Sequence, residues 1–170
     1  MLQYLQFLGT TDGLFRSSSL SDLSGKRDQA ALNWVEVMDA KIHSIQSDES
    51  GMGLVACGST RGLIKLDGDF WMTFGEDAGF TLPDVRHVDG SVESLWVSSY
   101  QELGRFQDGQ TQWTPVPMLS ERSLITSLLV ISPEEIWIGT SLDGLFRYNG
   151  QGFIQYTTTD GLPDRRVTCL

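Results

Sequence analysis

Apolar residues fall in short runs separated by glycine-marked breaks, and the same succession of runs returns along the chain. The clearest copy is Glu135-Ile-Trp-Ile-Gly139-Thr140, then Gly144-Leu-Phe-Arg-Tyr-Asn-Gly150, then Phe153-Ile-Gln-Tyr156. Upstream, Leu54-Val-Ala-Cys-Gly58-Ser59 precedes Gly62-Leu-Ile-Lys-Leu-Asp-Gly68 and Trp71-Met-Thr-Phe74. Between these lie Leu95-Trp-Val-Ser-Ser99 and Gly104-Arg-Phe-Gln-Asp-Gly109, ending on Trp113, and the first copy is Phe7-Leu-Gly9-Thr10 with Gly13-Leu-Phe-Arg16. A fourth element has an apolar-x-x-apolar frame: Ile42-His-Ser-Ile45, Val85-Arg-His-Val88, Ile125-Thr-Ser-Leu128 and Val167-Thr-Cys-Leu170. Its first residues are 43, 40 and 42 positions apart. The runs are rich in Ile, Val, Trp, Phe, Tyr and Thr, which favours strands over helix pairs of similar period. Repeats of ~40–45 residues with four short strands each are the signature of β-propeller blades. The predicted class is all-β.

Each predicted blade has an inner strand A, the apolar-x-x-apolar element. Strand B carries the Ile-Trp-Ile-Gly-Thr element, strand C the Gly-Leu-x-Arg/Lys element, and strand D the aromatics. The blades fall at about 1–38, 39–76, 84–116 and 123–158 of a single propeller domain or propeller fragment over 1–170, with a lone further strand A at 165–170. Asn149-Gly150 and Asp67-Gly68 suit tight hairpin turns with positive φ. Gly9, Gly58 and Gly139 admit a tight bend or a closely packed backbone, and Ser98 is the smallest substitute there. From Ser17 to Gln29 a polar stretch replaces the short C–D turn of the first blade and reads as a surface insertion or a binding loop. The chain opens at a strand B and ends on a strand A, which leaves two readings. The lone strand completes the first blade and closes a four-bladed ring, hiding a sheet edge. Alternatively the four blades are a slice of a larger ring, or half of a ring closed by self-association, strand A of one copy completing blade one of the next.

A hydrophobic share of 40% with 20% charged residues is that of a folded globular chain. The formal net charge of −10 opposes a phosphate backbone and an anionic membrane surface alike, and no basic stripe with interleaved aromatics is present. Nucleic acid is thereby excluded as a partner. The acidity serves solubility or attracts cationic ligands. The two cysteines, Cys57 and Cys169, are too far apart in sequence for a metal motif or a disulfide framework and read as buried structural thiols. The N-terminal residues lack the basic region and cleavage site of a signal peptide. No apolar run approaches the ~18 residues of a membrane span.

Chemistry is sparse. The two histidines, His43 and His87, both lie on inner strands, where they line or support the central channel; no His/Glu constellation accompanies them. Asp67-Gly-Asp69 and Asp108-Gly109 read as turn residues and lack a calcium loop. Ser44 and Ser127 have no neighbouring base or nucleophile-elbow context, and no cofactor motif is legible. The chain is therefore expected not to be an enzyme. Binding is better supported. The B–C and D–A loops of a propeller share one face. The residue before the second glycine of the B–C loops varies on a fixed frame as Asp12, Arg61, Glu102 and Asp143. Tyr100 adds an aromatic side chain, and the D–A loops add Asp160 and Arg165. These seven residues are the candidate binding set, for a sugar or a peptide; a protein-interaction scaffold and, less favoured, a lyase using His43 and His87 are the alternatives.

Three stretches of the last repeat, Ile136-Trp-Ile-Gly-Thr140, Asp143-Gly-Leu-Phe-Arg-Tyr-Asn-Gly150 and Tyr156-Thr-Thr-Thr-Asp-Gly-Leu-Pro163 followed by Val167, resemble the two-component regulator propeller repeat. The second repeat is also similar to it; the first and third are degenerate, with Glu102-Leu-Gly-Arg replacing Asp-Gly-Leu-x-Arg in the third. The resemblance implies the extracytoplasmic sensor part of bacterial signalling proteins, often hybrid histidine kinases that respond to sugars or oligosaccharides. Such sensors usually have more blades, a signal peptide, a β-sandwich and a membrane span. The chain is therefore expected to be a fragment or a stand-alone relative, and it carries no kinase residues.

Overall fold

A computed structural model describes residues 7–17, 34–47, 54–67, 70–80, 84–91 and 94–170. Strands β1 (Phe7–Gly9), β2 (Leu14–Ser17) and β3 (Trp34–Met38) form a three-stranded antiparallel sheet. The second sheet holds β4 (Ile42–Ser47), β5 (Leu54–Ser59), β6 (Gly62–Asp67) and β7 (Phe70–Phe74). The third holds β8 (His87–Ser91), β9 (Ser94–Ser98), β10 (Glu102–Gln107) and β11 (Gln110–Pro115), and the fourth β12 (Ile125–Ser132), β13 (Glu135–Thr140), β14 (Leu145–Tyr148) and β15 (Phe153–Tyr156). Strands follow one another in chain order within each sheet, so these are the blades of an all-β propeller, as the repeat predicts. In the third blade Val85 and Arg86 stand just ahead of the inner strand. Most of the first-blade insertion, residues 18–29, lies outside the described residues, as does Asp69.

The blades stack because both faces of each sheet are apolar. Leu14, Ala40, Ile42, Cys57 and Ile64 form a buried core between the first two blades. Leu63, Phe80, Val85, Val97 and Phe106 contribute to the next, and Trp96, Leu103, Ile136, Ile138 and Phe146 to the one between the third and fourth. Each Val, Leu, Ile or Phe among them contributes roughly 1.5–3 kcal/mol on burial. Inner strands also bond across blades: Val88 N donates to Ser44 Oγ at 2.9 Å, and Val130 N donates to Asp89 Oδ2 at 2.7 Å.

Glycine marks where three of the inner elements, those at Ile42, Val85 and Val167, cross the preceding strand B. A Cβ on Gly9 would lie 2.5 Å from Ile42 Cγ2, one on Gly58 2.7 Å from the Val85 carbonyl oxygen, and one on Gly139 2.7 Å from Val167 Cγ1. One amide bond recurs at this crossing. Ile42 N donates to the Thr10 carbonyl at 2.9 Å, Val85 N to that of Ser59 at 3.0 Å, and Val167 N to that of Thr140 at 2.9 Å. The C-terminal segment thus sits on the fourth blade as the inner strand of a following blade would. It forms no strand there, since no antiparallel partner faces it among the described residues. Within those residues no hydrogen bond joins this segment to the first blade, and β1 pairs with β2 alone.

Cys57 is fully buried between the first two blades, and burial pushes its thiol up to about 12; Cys169 is exposed, contrary to the expectation of two buried thiols. One thiol per chain is expected to react with Ellman's reagent in the native protein at pH 8, the second only after denaturant is added. Equal native reactivity of both would contradict the packing of Cys57.

Candidate functional site

The B–C loops of the first, second and fourth blades are each pinned by a hydroxyl at the end of strand B. Thr10 Oγ1 donates to the Gly13 carbonyl at 3.1 Å, Ser59 Oγ to that of Gly62 at 2.9 Å, and Thr140 Oγ1 to that of Gly144 at 2.7 Å. The same hydroxyls accept from the amides of Asp12, Arg61 and Asp143. A hydroxyl that closes its own loop in this way offers the backbone a local partner and fixes the turn. The variable side chains are thereby projected from a constant frame. The D–A connections lie against the same loops: Thr60 N donates to the Lys41 carbonyl, Ser141 N to that of Leu124, and Gly144 N to that of Arg165. B–C and D–A loops therefore share one face of the molecule.

On that face, between the second and third blades, three side chains converge on the Asp84 carboxylate. His43 Nε2 lies 2.6 Å from Oδ1, a close off-axis contact. The Tyr100 hydroxyl donates to Oδ2, and Arg86 Nη1 stands 3.7 Å from the same oxygen. The Arg86 guanidinium also covers the Tyr100 ring, 5.2 Å from its centroid, a cation–π arrangement. His43 and Arg86 occupy the same repeat position, the second residue of the inner element. In the second blade that residue is the extra one of a β-bulge between Ile42 and Ser44, and bulges re-aim side chains in this way. Exposure rises outward through the cluster: 9% for the His43 side chain, 21% for Asp84, 35% for Arg86 and 39% for Tyr100.

Burial works against the charge of Asp84, but Tyr100, His43 and Arg86 outweigh it and hold the carboxyl below its ordinary value. The hydrogen bond to Asp84 in turn raises Tyr100, keeping the phenol protonated as a donor. His87 sits behind the cluster with Nδ1 2.7 Å from Ser98 Oγ; burial first, then the Arg86 charge, lowers its pKa. A histidine held neutral in the fold contributes stability above its unfolded pKa of about 6.5, lost as pH falls toward the folded value. Carboxylates with depressed pKa keep theirs down to the ordinary carboxylate range. Denaturant midpoints are therefore expected to fall in two stages, one below pH 6.5 that is diminished in His87→Gln and one below pH 4. A single acid stage unaffected by His87→Gln would contradict the first assignment.

The sequence-derived set divides. Tyr100 belongs to the cluster. Arg61 is exposed, with Nη2 4.0 Å from Asp39 Oδ2, and Asp12 is exposed beside Thr11. Glu102 is half-buried at the start of β10. Asp143 is occupied by the fold: its Oδ2 accepts from the Ser120 amide at 2.8 Å and the Ser120 hydroxyl at 2.9 Å. Burial opposes its charge, but these bonds and nearby Arg165 keep its pKa low. Asp160 caps the turn Thr158–Asp160, accepting from the Thr157 amide at 2.9 Å. The Arg165 side chain is exposed, while its carbonyl bonds the Gly144 amide. Asp84, Arg86 and the engagement of His43 are additions. The recurrence of Leu82-Pro-Asp84 and Leu162-Pro-Asp164 before inner elements was the signal for the first. Among the described residues no group of three His, Cys, Asp or Glu side chains is placed to hold a metal ion, and no helix is long and apolar enough to cross a membrane.

No family model and no curated protein matches the chain. Solved structures do. One is the extracellular domain of BT4673 from B. thetaiotaomicron, described in one crystal structure as a one component system and in another as a hybrid two component system. It aligns over 98% of this chain with TM-scores of 0.67 and 0.62 at 13% and 15% identity. YCF48 bound to D1 peptide aligns over 96% of the chain with a TM-score of 0.60 at 11% identity. The fold is shared with these proteins. The chain spans 23% of the BT4673 domain and 53% of YCF48.

Proposed function

We propose that this chain is a non-catalytic recognition propeller of the sensor type, whose B–C and D–A loop face takes an oligosaccharide between the second and third blades. The observation that carries the reading is the preset Tyr100–Arg86 surface braced by Asp84 and His43. A half-exposed aromatic ring beside fixed donors and a carboxylate suits sugar hydroxyls, with the ring face covering apolar C–H surface. Asp84 is unsuited to general-base work near neutrality, because Tyr100, His43 and Arg86 together hold its carboxyl below its ordinary value. His43 and His87 are engaged with Asp84 and Ser98, which supports a positioning role over the lyase alternative. The sensing role draws on the likeness of fold to the BT4673 extracellular domain and on the repeat itself.

A glycan array of neutral and uronic-acid oligosaccharides, followed by calorimetry, tests this. Tyr100→Ala and Asp84→Asn are each expected to weaken binding about tenfold, the equivalent of ~1.4 kcal/mol. Asp12→Asn is expected to leave it unchanged. No glycan bound by the native chain at millimolar concentration would overturn the reading. A second reading, a peptide or protein partner on the same face, is favoured by the likeness to YCF48 with its D1 peptide; retention of a peptide-display ligand that Tyr100→Ala abolishes, without glycan binding, would select it.

A further inference from the structure

Strand C carries a cationic side chain at one fixed position of every blade: Arg16, Lys65, Arg105 and Arg147. In the third and fourth blades its neighbour on strand B is a tryptophan, Arg105 being paired with Trp96 and Arg147 with Trp137. Each guanidinium covers the indole ring, 5.9 and 5.6 Å from its centroid. The two blades differ one step along the strand. Glu135, two residues before Trp137 and so on the same face, pairs its Oε1 with Arg147 Nη2 at 2.9 Å. Ser94 holds that place before Trp96, and Arg105 has no carboxylate partner among the described residues. Asp89, on the same row beyond Trp96, accepts from the Gly90 amide on one oxygen and the Val130 amide on the other. Three polar atoms of this face are enclosed without a hydrogen-bond partner: Ser94 Oγ, Trp96 Nε1 and Arg105 Nε. Arg147 Nε is enclosed likewise, so the third blade is distinguished by the first two. Trp96 itself is 5% exposed; Tyr148 of the fourth blade lies 5.6 Å from it between ring centroids, and Phe153 5.1 Å from Tyr148. Enclosed polar groups are nearly always paired, and an indole N–H and a guanidinium both call for an acceptor. The Nη nitrogens of Arg105 are not enclosed, which leaves them open to an incoming acceptor at the seam between these blades.

We infer that the seam between the third and fourth blades binds a small organic carboxylate on Arg105, in the place that Glu135 fills for Arg147. A carboxylate matches the guanidinium fork with two parallel hydrogen bonds. The Trp96 N–H and the Ser94 hydroxyl lie on the same face as further donors. The ligand that fits this chemistry is a monocarboxylate with an apolar or aromatic body. Half-buried Tyr148 and Phe153 supply apolar surface next to the Arg105–Trp96 stack, while a net charge of −10 opposes polyanions. The seam is separate from the loop-face cluster. Ser94 begins β9 at the A–B end of the blade, whereas Ser98 ends it next to the loop that carries Tyr100.

Benzoate is the probe, with benzamide as its uncharged counterpart. In nitrogen-edited spectra of labelled protein, millimolar benzoate is expected to move the Trp96 indole N–H signal, assigned by Trp96→Phe, along a saturating curve. Benzamide is expected to leave that signal in place. Arg105→Gln is expected to abolish the shift. So is Ser94→Glu, which gives the third blade the carboxylate that the fourth carries and closes the site from within. Either variant decides alone if the other fails to fold. No saturable shift with benzoate, an equal shift with benzamide, or a benzoate titration unchanged in a folded variant would each overturn the inference.

Discussion

Replacing Phe146 by alanine is expected to cost about 3–5 kcal/mol of unfolding free energy. The ring is fully buried between the third and fourth blades, in one cluster with Trp96, Ile136 and Ile138. Its strand pairs on both sides, Ile138 facing it from β13 and Gln155 from β15. Backbone pairing on two sides leaves the strand little freedom to close the space that six ring carbons vacate. A single domain has about 5–15 kcal/mol in total, so the loss is a large fraction of the whole. Because each blade touches only its neighbours, the fourth blade should open first, broadening the urea transition. Met72→Ala, at a residue 43% exposed on an outer strand, is expected to change stability by less than about 1 kcal/mol. A Phe146→Ala midpoint within error of the native value would remove this core from the account.

Gly144→Val is expected to be the next most damaging change, at about 2–4 kcal/mol. Gly144 has φ +87°, and a Cβ there would lie 2.2 Å from the Tyr156 carbonyl oxygen. That atom cannot yield without breaking the Leu145↔Tyr156 pairing of β14 with β15. A branched side chain in the left-handed region adds about 1–2 kcal/mol of backbone cost. The same residue accepts from the Thr140 hydroxyl and donates to the Arg165 carbonyl. Its loss therefore loosens the B–C loop and the seat of the C-terminal segment together. Gly152→Ala is the control: a Cβ there meets nothing within 4 Å, and the substitution is expected to be neutral or to stabilise by up to ~1 kcal/mol. Equal losses at the two glycines would contradict the geometry assigned to Gly144.

These two positions also mark what the sequence makes legible. Strand rhythm, blade count and the glycines before Thr10, Ser59 and Thr140 are local or periodic, and periodic signals survive without knowledge of the fold. The close approach inferred for Gly9, Gly58 and Gly139 is there, with the next inner element as the neighbour at the first two and both Ser127 of its own blade and Val167 at Gly139. The proposed binding residues are harder to read from sequence. Asp143 and Asp160 have the charge and loop placement of binding residues, yet one holds Ser120 and the other closes the cap on Thr157. The spacing Thr157-x-x-Asp160 is a capping signature readable from sequence alone. For Asp84 the recurrent Leu-Pro-Asp marks the position but not its partners. Its partners come from an inner strand of one blade and a B–C loop of another, brought together only by the curvature of the stack. A bulge that turns His43 toward it leaves no trace in an apolar-x-x-apolar frame.

The central claim is that recognition occurs where Asp84, Arg86 and Tyr100 meet on the loop face. Amide spectra of isotopically labelled protein, titrated with the strongest-binding oligosaccharide of the array, test it most directly. The largest shifts are expected at residues 41–43, 84–86 and 99–101, reached in Tyr100→Ala only at about tenfold higher ligand concentration, with the opposite-face turns at 107–110 and 149–152 unmoved. Shifts centred on those opposite turns, or a titration midpoint unchanged by Tyr100→Ala, would contradict it.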